Sequence, residues 1–347
     1  MYIKKIVVAI SIIGLFIMGG FSYYVYNVMF TSNTNFSQDF KHIYIRTNSD
    51  YNNLIEQLKD YIVDPSTFTV LAERKNYINN IKPGKFIIKK GMNNNQIINS
   101  IRSNNITVDV TFNNVKNLND LAGKISNQIE ADSMSFLTSF KTDYFINKGF
   151  DEKNILSMYI PNSYNSFWNI NAEKFNERMF EEYTRFWQKN NRVEKANKIG
   201  LSKIEVMILA SIVYEESKEN IDLPRIAGVY MNRLKNNWKL GADPTVKFAA
   251  YQLDQYKNTI IRRVLNKHLR IDSPYNTYKY YGLPPGIISM PSIQAIDAVL
   301  NYEKHSYFFF AADPENPGFH SFAKDHREHK LNAKKLHKAL DKKGIKK

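Results

Sequence analysis

Leu201 to Ser217 reads LSKIEVMILASIVYEES, and this stretch decides the architecture of the larger part of the chain. Val206, Met207, Ile208, Leu209, Ala210, Ile212 and Val213 leave almost no polar face over two turns, which is the pattern of a helix buried on all sides. The run ends on two adjacent carboxylates, Glu215 and Glu216. At about 100° per residue, Glu215 falls on the side of Ile208 and Ser211, and Glu216 on the side of Leu209 and Ile212. They face different ways, so they do not form an acid–base pair. A Glu leaving such a helix against apolar neighbours is desolvated, which moves its pKa towards the range of a general acid. Periodicity by itself also admits, and taken alone favours, a plainer reading in which two solvated glutamates mark the helix exit.

Outward from this helix, the chain after Phe150 shows long helical patterns rich in aromatics, such as AEKFNERMFEEYTRFWQKN. Loops punctuated by Pro and Gly separate them: YIPNSY, GADPT, YNTYKYYGLPPGIISMPS and DPENPGF. SYFFFAA reads as a strand, and the basic tail after Lys330 as a surface helix. Before Phe150 the texture differs. KHIYI is a strand, YNNLIEQLKDYI a helix with Leu54, Ile55, Leu58 and Ile62 on one face, and KPGKFIIKKGMNNNQIINSIRS a turn, strand, turn and helix. ITVDVTF adds a strand, and NLNDLAGKISNQIEADSMSFLTSF a helical stretch. The fold class is therefore α+β.

The amino terminus holds an uncharged run, Ile6 to Phe30, long enough to cross a bilayer as a helix. Lys4 and Lys5 precede it, so the positive-inside rule places residues 1–5 in the cytoplasm and everything after the span outside it, with Tyr23, Tyr24 and Tyr26 at the outer interface. The alternative is a cleaved signal peptide, but the run exceeds an ordinary signal core and shows no A-x-A site before the tyrosines. The expectation is a retained single-pass anchor in the cytoplasmic membrane.

With 347 residues and 43% hydrophobic content the chain can fill a real core. Its formal charge of +15 accompanies abundant Lys, Asn and Ile and reads as compositional bias. No RNA-binding signature, zinc-finger spacing or helix-turn-helix pattern stands beside it, so nucleic acid is not an expected partner. The absence of cysteine excludes disulfides, Cys-ligated metal and a thiol nucleophile.

Taken together, the strings LASIVYEES, LPRIAGVYMNRL, LGADPTVKFA, SPYNTYKYYGLPPGIISMPS, SYFFFAA and FHSF resemble, in order and spacing, the MltG/YceG-like family of membrane-anchored endolytic murein transglycosylases. The resemblance covers most of Phe150 to the carboxyl terminus. It extends to the anchor and to IKPGKFIIKKGM, which looks like the family's LysM-like subdomain. It implies an anchor at 6–30, a linker at 31–40, a LysM-like α+β unit at 41–110, a connecting segment at 111–149 and a catalytic domain at 150–347. The family's catalytic Glu precedes a small residue, and that position is Glu216, followed by Ser217; Tyr214 and Glu215 occupy positions not expected to be essential. The implied substrate is the glycan strand of nascent peptidoglycan, cut to leave 1,6-anhydro-muramyl ends, with peptidoglycan synthases as neighbours at the membrane. Most glycosidases use two carboxylates. A lytic transglycosylase, as the resemblance implies, needs one, because the sugar's own C6 hydroxyl is the nucleophile. A muramidase using Glu216 with water, and a catalytically silent murein-binding scaffold, are the competing readings.

The remaining candidates each have a structural alternative. Asn232 and Arg233, on a helix, could bind sugar hydroxyls or the peptide stem, or serve as a capping or salt-bridging pair. Asp243, in GADPTV, reads as a turn or N-cap residue with Thr245 starting a helix, and also as a substrate-positioning group. The family usually carries a larger polar residue where this chain has Gly241. Asn276, Thr277 and Tyr278 beside the rigid Leu283–Gly286 turn suit a polysaccharide groove, where amides read hydroxyls and aromatic faces pack on sugars; the alternative is a well-made loop, which is the favoured reading for Pro284 and Pro285. His320 and Phe322 lie in FHSF, and His329 follows; these spacings match no zinc signature, so neither metal nor other cofactor is expected. His320 is expected to orient a group near Glu216 or to bind substrate.

Overall fold

The computed structural model describes residues 2–141, 143–257 and 259–342. It divides into two compact units, the first made of residues up to 110 with 128–131 and 164–171, the second of 111–127, 132–163 and 172 onwards.

In the first unit, α1 (Tyr2–Phe30) is a 29-residue helix. At 1.5 Å per residue it is about 43 Å long, ample for a bilayer core. It is strongly apolar, and its side chains are exposed along nearly the whole length. Only its last turns join protein. There Val28 is buried and its carbonyl accepts the Asn94 amide at 2.9 Å, while Asn33 bridges Asn94 (2.6 Å) and the Asp64 carbonyl (2.9 Å).

The rest of the first unit follows a strand-helix-helix-strand order: β1 (Phe40–Ile45), α2 (Tyr51–Leu58), α3 (Pro65–Arg74) and β2 (Gly84–Lys89). β1 and β2 are antiparallel, with Ile43 opposite Phe86. Each helix starts where the sequence supplies a cap. Asp50 and Asn53 close a capping box on α2, Asp64 caps α3 ahead of Pro65, and Asn93 with Gln96 does the same for α4 (Asn94–Ser103). Ile43, Ile45, Leu54, Leu58, Phe68, Phe86, Ile88, Ile97 and Ile101 form the core between them. β3 (Thr107–Phe112) pairs with β4 (Asn162–Phe167), and both strands have residues in each unit.

The helical stretch expected over Asn117–Phe140 is two helices, α5 (Leu118–Ser126) and α6 (Ser133–Ser139). The break follows from a fresh cap, since Asp132 accepts the Ser135 N–H at 2.7 Å and starts a new helix. A short α7 (Asp143–Ile146) comes next, and β4 was not foreseen, because NSYNSF lacks the apolar alternation of a half-buried strand.

The helical body of the second unit comprises α8 (Ala172–Gln188), α9 (Arg192–Ile199), α10 (Lys203–Glu216), α11 (Leu223–Lys235), α12 (Asp243–Tyr251), α13 (Asn266–Leu269) and α14 (Ile293–Leu300). Ser202 and Glu205 make the capping box that starts α10, and residues 206–213 are all buried, as its sequence predicts. α9, α11, α12 and α14 pack around it. A hairpin of β5 (Phe309–Ala312) and β6 (His320–Ala323) pairs Phe310 with Phe322 and Ala312 with His320, and α15 (His326–Lys342) packs on it. This core carries α10 to a terminus at Glu216, where the helix ends because Ser217 turns extended.

Candidate active site

Glu216 opens onto a cleft of about 340 Å³, entirely within the second unit, lined also by Tyr230, Arg233, Gly241, Asp243, Tyr278, Phe309, Phe310, Ala311, Ala312, His320 and His329. Two things bring these groups together. α11 runs past the end of α10 and presents Tyr230 and Arg233, three residues apart and so on one face; the β5–β6 hairpin packs on that face, Phe310 against Tyr230 and Phe309 against Arg233, and supplies a largely aromatic wall.

The Glu216 carboxyl is half-enclosed. Tyr230 donates its hydroxyl to Oε1 at 2.6 Å. Desolvation pushes the Glu216 pKa up to about 7; the nearby Asp243 charge adds to the rise, and the Tyr230 hydrogen bond, Arg233 and Lys247 hold it down. Burial is the largest cause. The carboxyl thus sits where proton donation and acceptance are both available near neutrality. Glu215 points elsewhere: it is exposed, accepts from Ser289 Oγ at 2.9 Å, and lies 3.8 Å from Lys218 Nζ.

Of the other residues singled out in the sequence, Arg233, Asp243, Tyr278 and His320 line the cleft. Arg233 is fixed by Nε donating to the Phe308 carbonyl at 2.8 Å and Nη1 donating to the Leu240 carbonyl. Asp243 is the first residue of α12 but makes no cap; it accepts the Tyr278 hydroxyl at 2.7 Å instead. Burial and the Asp243 charge raise the Tyr278 pKa, so the phenol keeps its proton.

Asn232, Thr245, Asn276, Thr277, Leu283 and Phe322 are not among the cleft-lining residues. Asn232 spends its amide on the His305 and Tyr307 carbonyls, both at 2.9 Å. Thr245 and Thr277 are buried, share a hydroxyl–hydroxyl bond of 2.8 Å, and bind the Ala242 carbonyl and N–H, at 2.7 and 2.9 Å respectively. Asn276 is buried too: its amide N donates to the Leu269 and Ile271 carbonyls, and its Oδ1 accepts the Tyr278 N–H at 3.1 Å. These groups hold the backbone from which Gly241, Asp243 and Tyr278 reach the cleft. Gly241 has φ +54°, a left-handed backbone that favours glycine, and a Cβ there would lie 3.6 Å from Arg233 Nη1 and 3.7 Å from the Tyr278 ring.

Sequence reading missed Tyr230, which its spacing of three from Arg233 could have flagged, and Asp222. The latter reads as an N-cap before Leu223–Pro224, yet in the structure it makes no side-chain cap and bonds His320. Among the described residues no group of three or more His, Asp or Glu could hold a metal ion.

Fold and cleft together define an α+β protein that presents one perturbed carboxyl to an open polar groove. The chain belongs to the YceG-like family, whose profile it matches over residues 43–335. A solved YceG-like protein from Listeria monocytogenes shares the fold, with a TM-score of 0.56 and 24% identity over 85% of this chain and 99% of that one. Two curated relatives are named endolytic murein transglycosylase. That of Bacillus subtilis (strain 168) is 41% identical over 135 residues, 39% of this chain and 34% of that protein. That of Streptococcus pneumoniae serotype 2 is 35% identical over 114 residues, 33% of this chain and 20% of that protein. The matches thus span about a third or less of these relatives' length.

Proposed function

We propose that the chain is a membrane-anchored endolytic murein transglycosylase in which Glu216 is both general acid and general base. The observation that carries this reading is the Glu216 carboxyl, held at a pKa of about 7 beside Tyr230 in the cleft. Protonated Glu216 gives its proton to the glycosidic oxygen between MurNAc and GlcNAc. The resulting carboxylate takes the proton of the MurNAc C6 hydroxyl as that oxygen bonds to C1, so the strand is cut, a 1,6-anhydro ring closes, no water is consumed and Glu216 is again protonated. Tyr230 stabilises the transient carboxylate. The Arg233 guanidinium and the Asp243–Tyr278 pair supply the polar contacts of the cleft for sugar and stem peptide.

The apolar helix α1, with Lys4 and Lys5 at its start, supports a single pass with the amino terminus inside and everything after α1 outside, near the synthases that polymerise the strands. The strand-helix-helix-strand order of the first unit supports a LysM-like role, either binding glycan or setting the height of the catalytic unit.

One observation favours a second reading. Asp243 brings a second carboxylate to the same cleft, as a muramidase activating water would need. Digestion of purified murein in oxygen-18 water separates the two. Anhydro ends one water lighter than the hydrolytic products, without heavy oxygen, are expected; heavy oxygen at the new reducing ends would make the enzyme a hydrolase, and no cleavage by folded protein would leave a binding scaffold.

A further inference from the structure

We infer that Asp222 and His320 form a couple that fixes the tautomer of the His320 ring, so that its Nε2 accepts a hydrogen bond from a donor on the amino sugar bound beside Glu216. This rests on the glycan-cleavage reading above and adds a substrate contact to it.

Asp222 is buried, at 3% exposure, and directly precedes α11, where a carboxylate ordinarily caps the helix. It does not cap. Its Oδ2 accepts the backbone N–H of His320 at 2.8 Å and lies 3.0 Å from His320 Nδ1. An oxygen already taking one N–H is an acceptor, so the ring nitrogen facing it carries a proton, and in the neutral form of the ring the lone pair is then on Nε2. A buried carboxylate withdrawn from a helix end costs free energy unless its partners compensate, and both partners here belong to one residue.

The ring is also held by aromatic packing. It packs edge-on against Phe310 at 5.3 Å and 88°, and Phe310 packs edge-on against Tyr230 at 5.9 Å and 89°. One aromatic frame therefore holds His320 and the tyrosine that bonds Glu216. With Nδ1 committed to Asp222, Nε2 is the polar atom His320 has left to offer the cleft it lines. Amino sugars carry hydroxyl and acetamido N–H donors that such a lone pair recognises. Glu216 alone moves protons in the reaction; His320 touches substrate, and Asp222 is a positioning residue.

The test uses the full chain carrying Glu216→Gln, which is expected to bind strands and to cut them at least about a hundredfold more slowly than the wild type. Nitrogen-15 spectra of its histidines are expected to show His320 protonated on Nδ1, and its Nε2 signal is expected to move when murein glycan strands are added. Adding Asp222→Asn, whose amide is a weaker acceptor than a carboxylate, is expected to raise the Nε2–H population. His320→Phe keeps a ring against Phe310 and removes the nitrogens; it is expected to weaken strand binding roughly tenfold, the worth of one hydrogen bond, and His320→Gln to restore part of the loss. In the cleaving chain the same changes are expected to raise KM with kcat nearly kept. Unchanged strand affinity in His320→Phe, or an Nε2–H ring in the parent, overturns the inference while strand cleavage by the wild type stands. Failure of the wild type to cleave strands, together with failure of the Glu216→Gln parent to bind them, removes the glycan reading and the sugar contact with it; the spectra then still report on the Asp222–His320 couple.

Discussion

The Tyr230 hydroxyl donates to Glu216 Oε1 at 2.6 Å across the end of α10, from the face of α11 that also carries Arg233. This bond stabilises the charged carboxylate, so it works against the burial that raises the Glu216 pKa. Tyr230→Phe removes it without changing the ring. The Glu216 pKa is then expected to rise above about 7, and the alkaline limb of the pH–rate profile with it. An unmoved limb in the Phe variant would show that Glu216 does not set it.

Glu216→Gln keeps the size of the side chain but cannot deliver a proton, so strand cleavage is expected to fall by a factor on the order of 10² to 10⁴. Glu215→Gln is expected to stay within a few fold of wild type, because Glu215 is exposed and its partners are Ser289 and Lys218. Anhydro-product yield from purified murein checks both. The reverse ranking would assign the chemistry to the wrong carboxylate.

The same pKa makes a statement about stability. Glu216 binds its proton more tightly in the folded chain, with a pKa of about 7 against an ordinary glutamate value of 4.5. Between those two pH values the unfolded chain loses the proton first, so stability falls as pH rises through the window and levels off above it. The full shift corresponds to about 3 kcal/mol as an upper bound. Glu216→Gln, which never ionises, is expected to be more stable than wild type at pH 8 and to gain little at pH 4. Thermal midpoints at the two pH values measure it, and equal gains at both would remove burial of the charge as the cause.

Part of this candidate cleft was legible in the sequence, for identifiable reasons. The run from Val206 to Val213 is apolar all round, so a buried helix ending at the glutamates could be read directly, and the order of motifs around it singled out Glu216. Asn232, Thr245, Asn276 and Thr277 were read as open between structure and substrate, because a polar side chain in a loop motif looks the same whether it points at a sugar or at a neighbouring carbonyl. Here they bind backbone. Asp222 left no trace, since a cap-position Asp before Leu-Pro is ordinary and its partner His320 is 98 residues away. The break between α5 and α6 was hidden in the same way, because a capping Asp within a helical pattern is not visible to apolar spacing.

α1 is expected to remain on the mature protein and to hold it in the membrane, since the helix is uncharged from Ile6 to Phe30 and only its last turns are packed against protein. Fractionation followed by amino-terminal sequencing checks this. A soluble chain beginning after Gly20 would mean that the segment is a cleaved signal.

In the second unit, loss of the ion pair between Arg192 and Asp297 is expected to be costly. Arg192 is 5% exposed, and its Nε and Nη2 meet the two Asp297 oxygens at 2.8 and 2.9 Å, joining α9 to α14. Its Nη1 also donates to the Phe186 carbonyl at 3.1 Å, and the guanidinium stacks 4.0 Å from the Phe186 ring. Asp297→Ala leaves that guanidinium buried with only the carbonyl and the ring as partners, and a loss of about 3 kcal/mol is expected. Asp297 is itself partly exposed, so water entering the gap sets the lower end, nearer 2 kcal/mol. Replacing both residues, Arg192→Met with Asp297→Ala, removes the stranded charge and is expected to recover much of the loss, which additive single effects would not do. Urea unfolding of the two single variants and the double variant measures the coupling. A double variant as unstable as the sum of the singles would show that Arg192 and Asp297 stabilise the unit independently, through their packing rather than through each other.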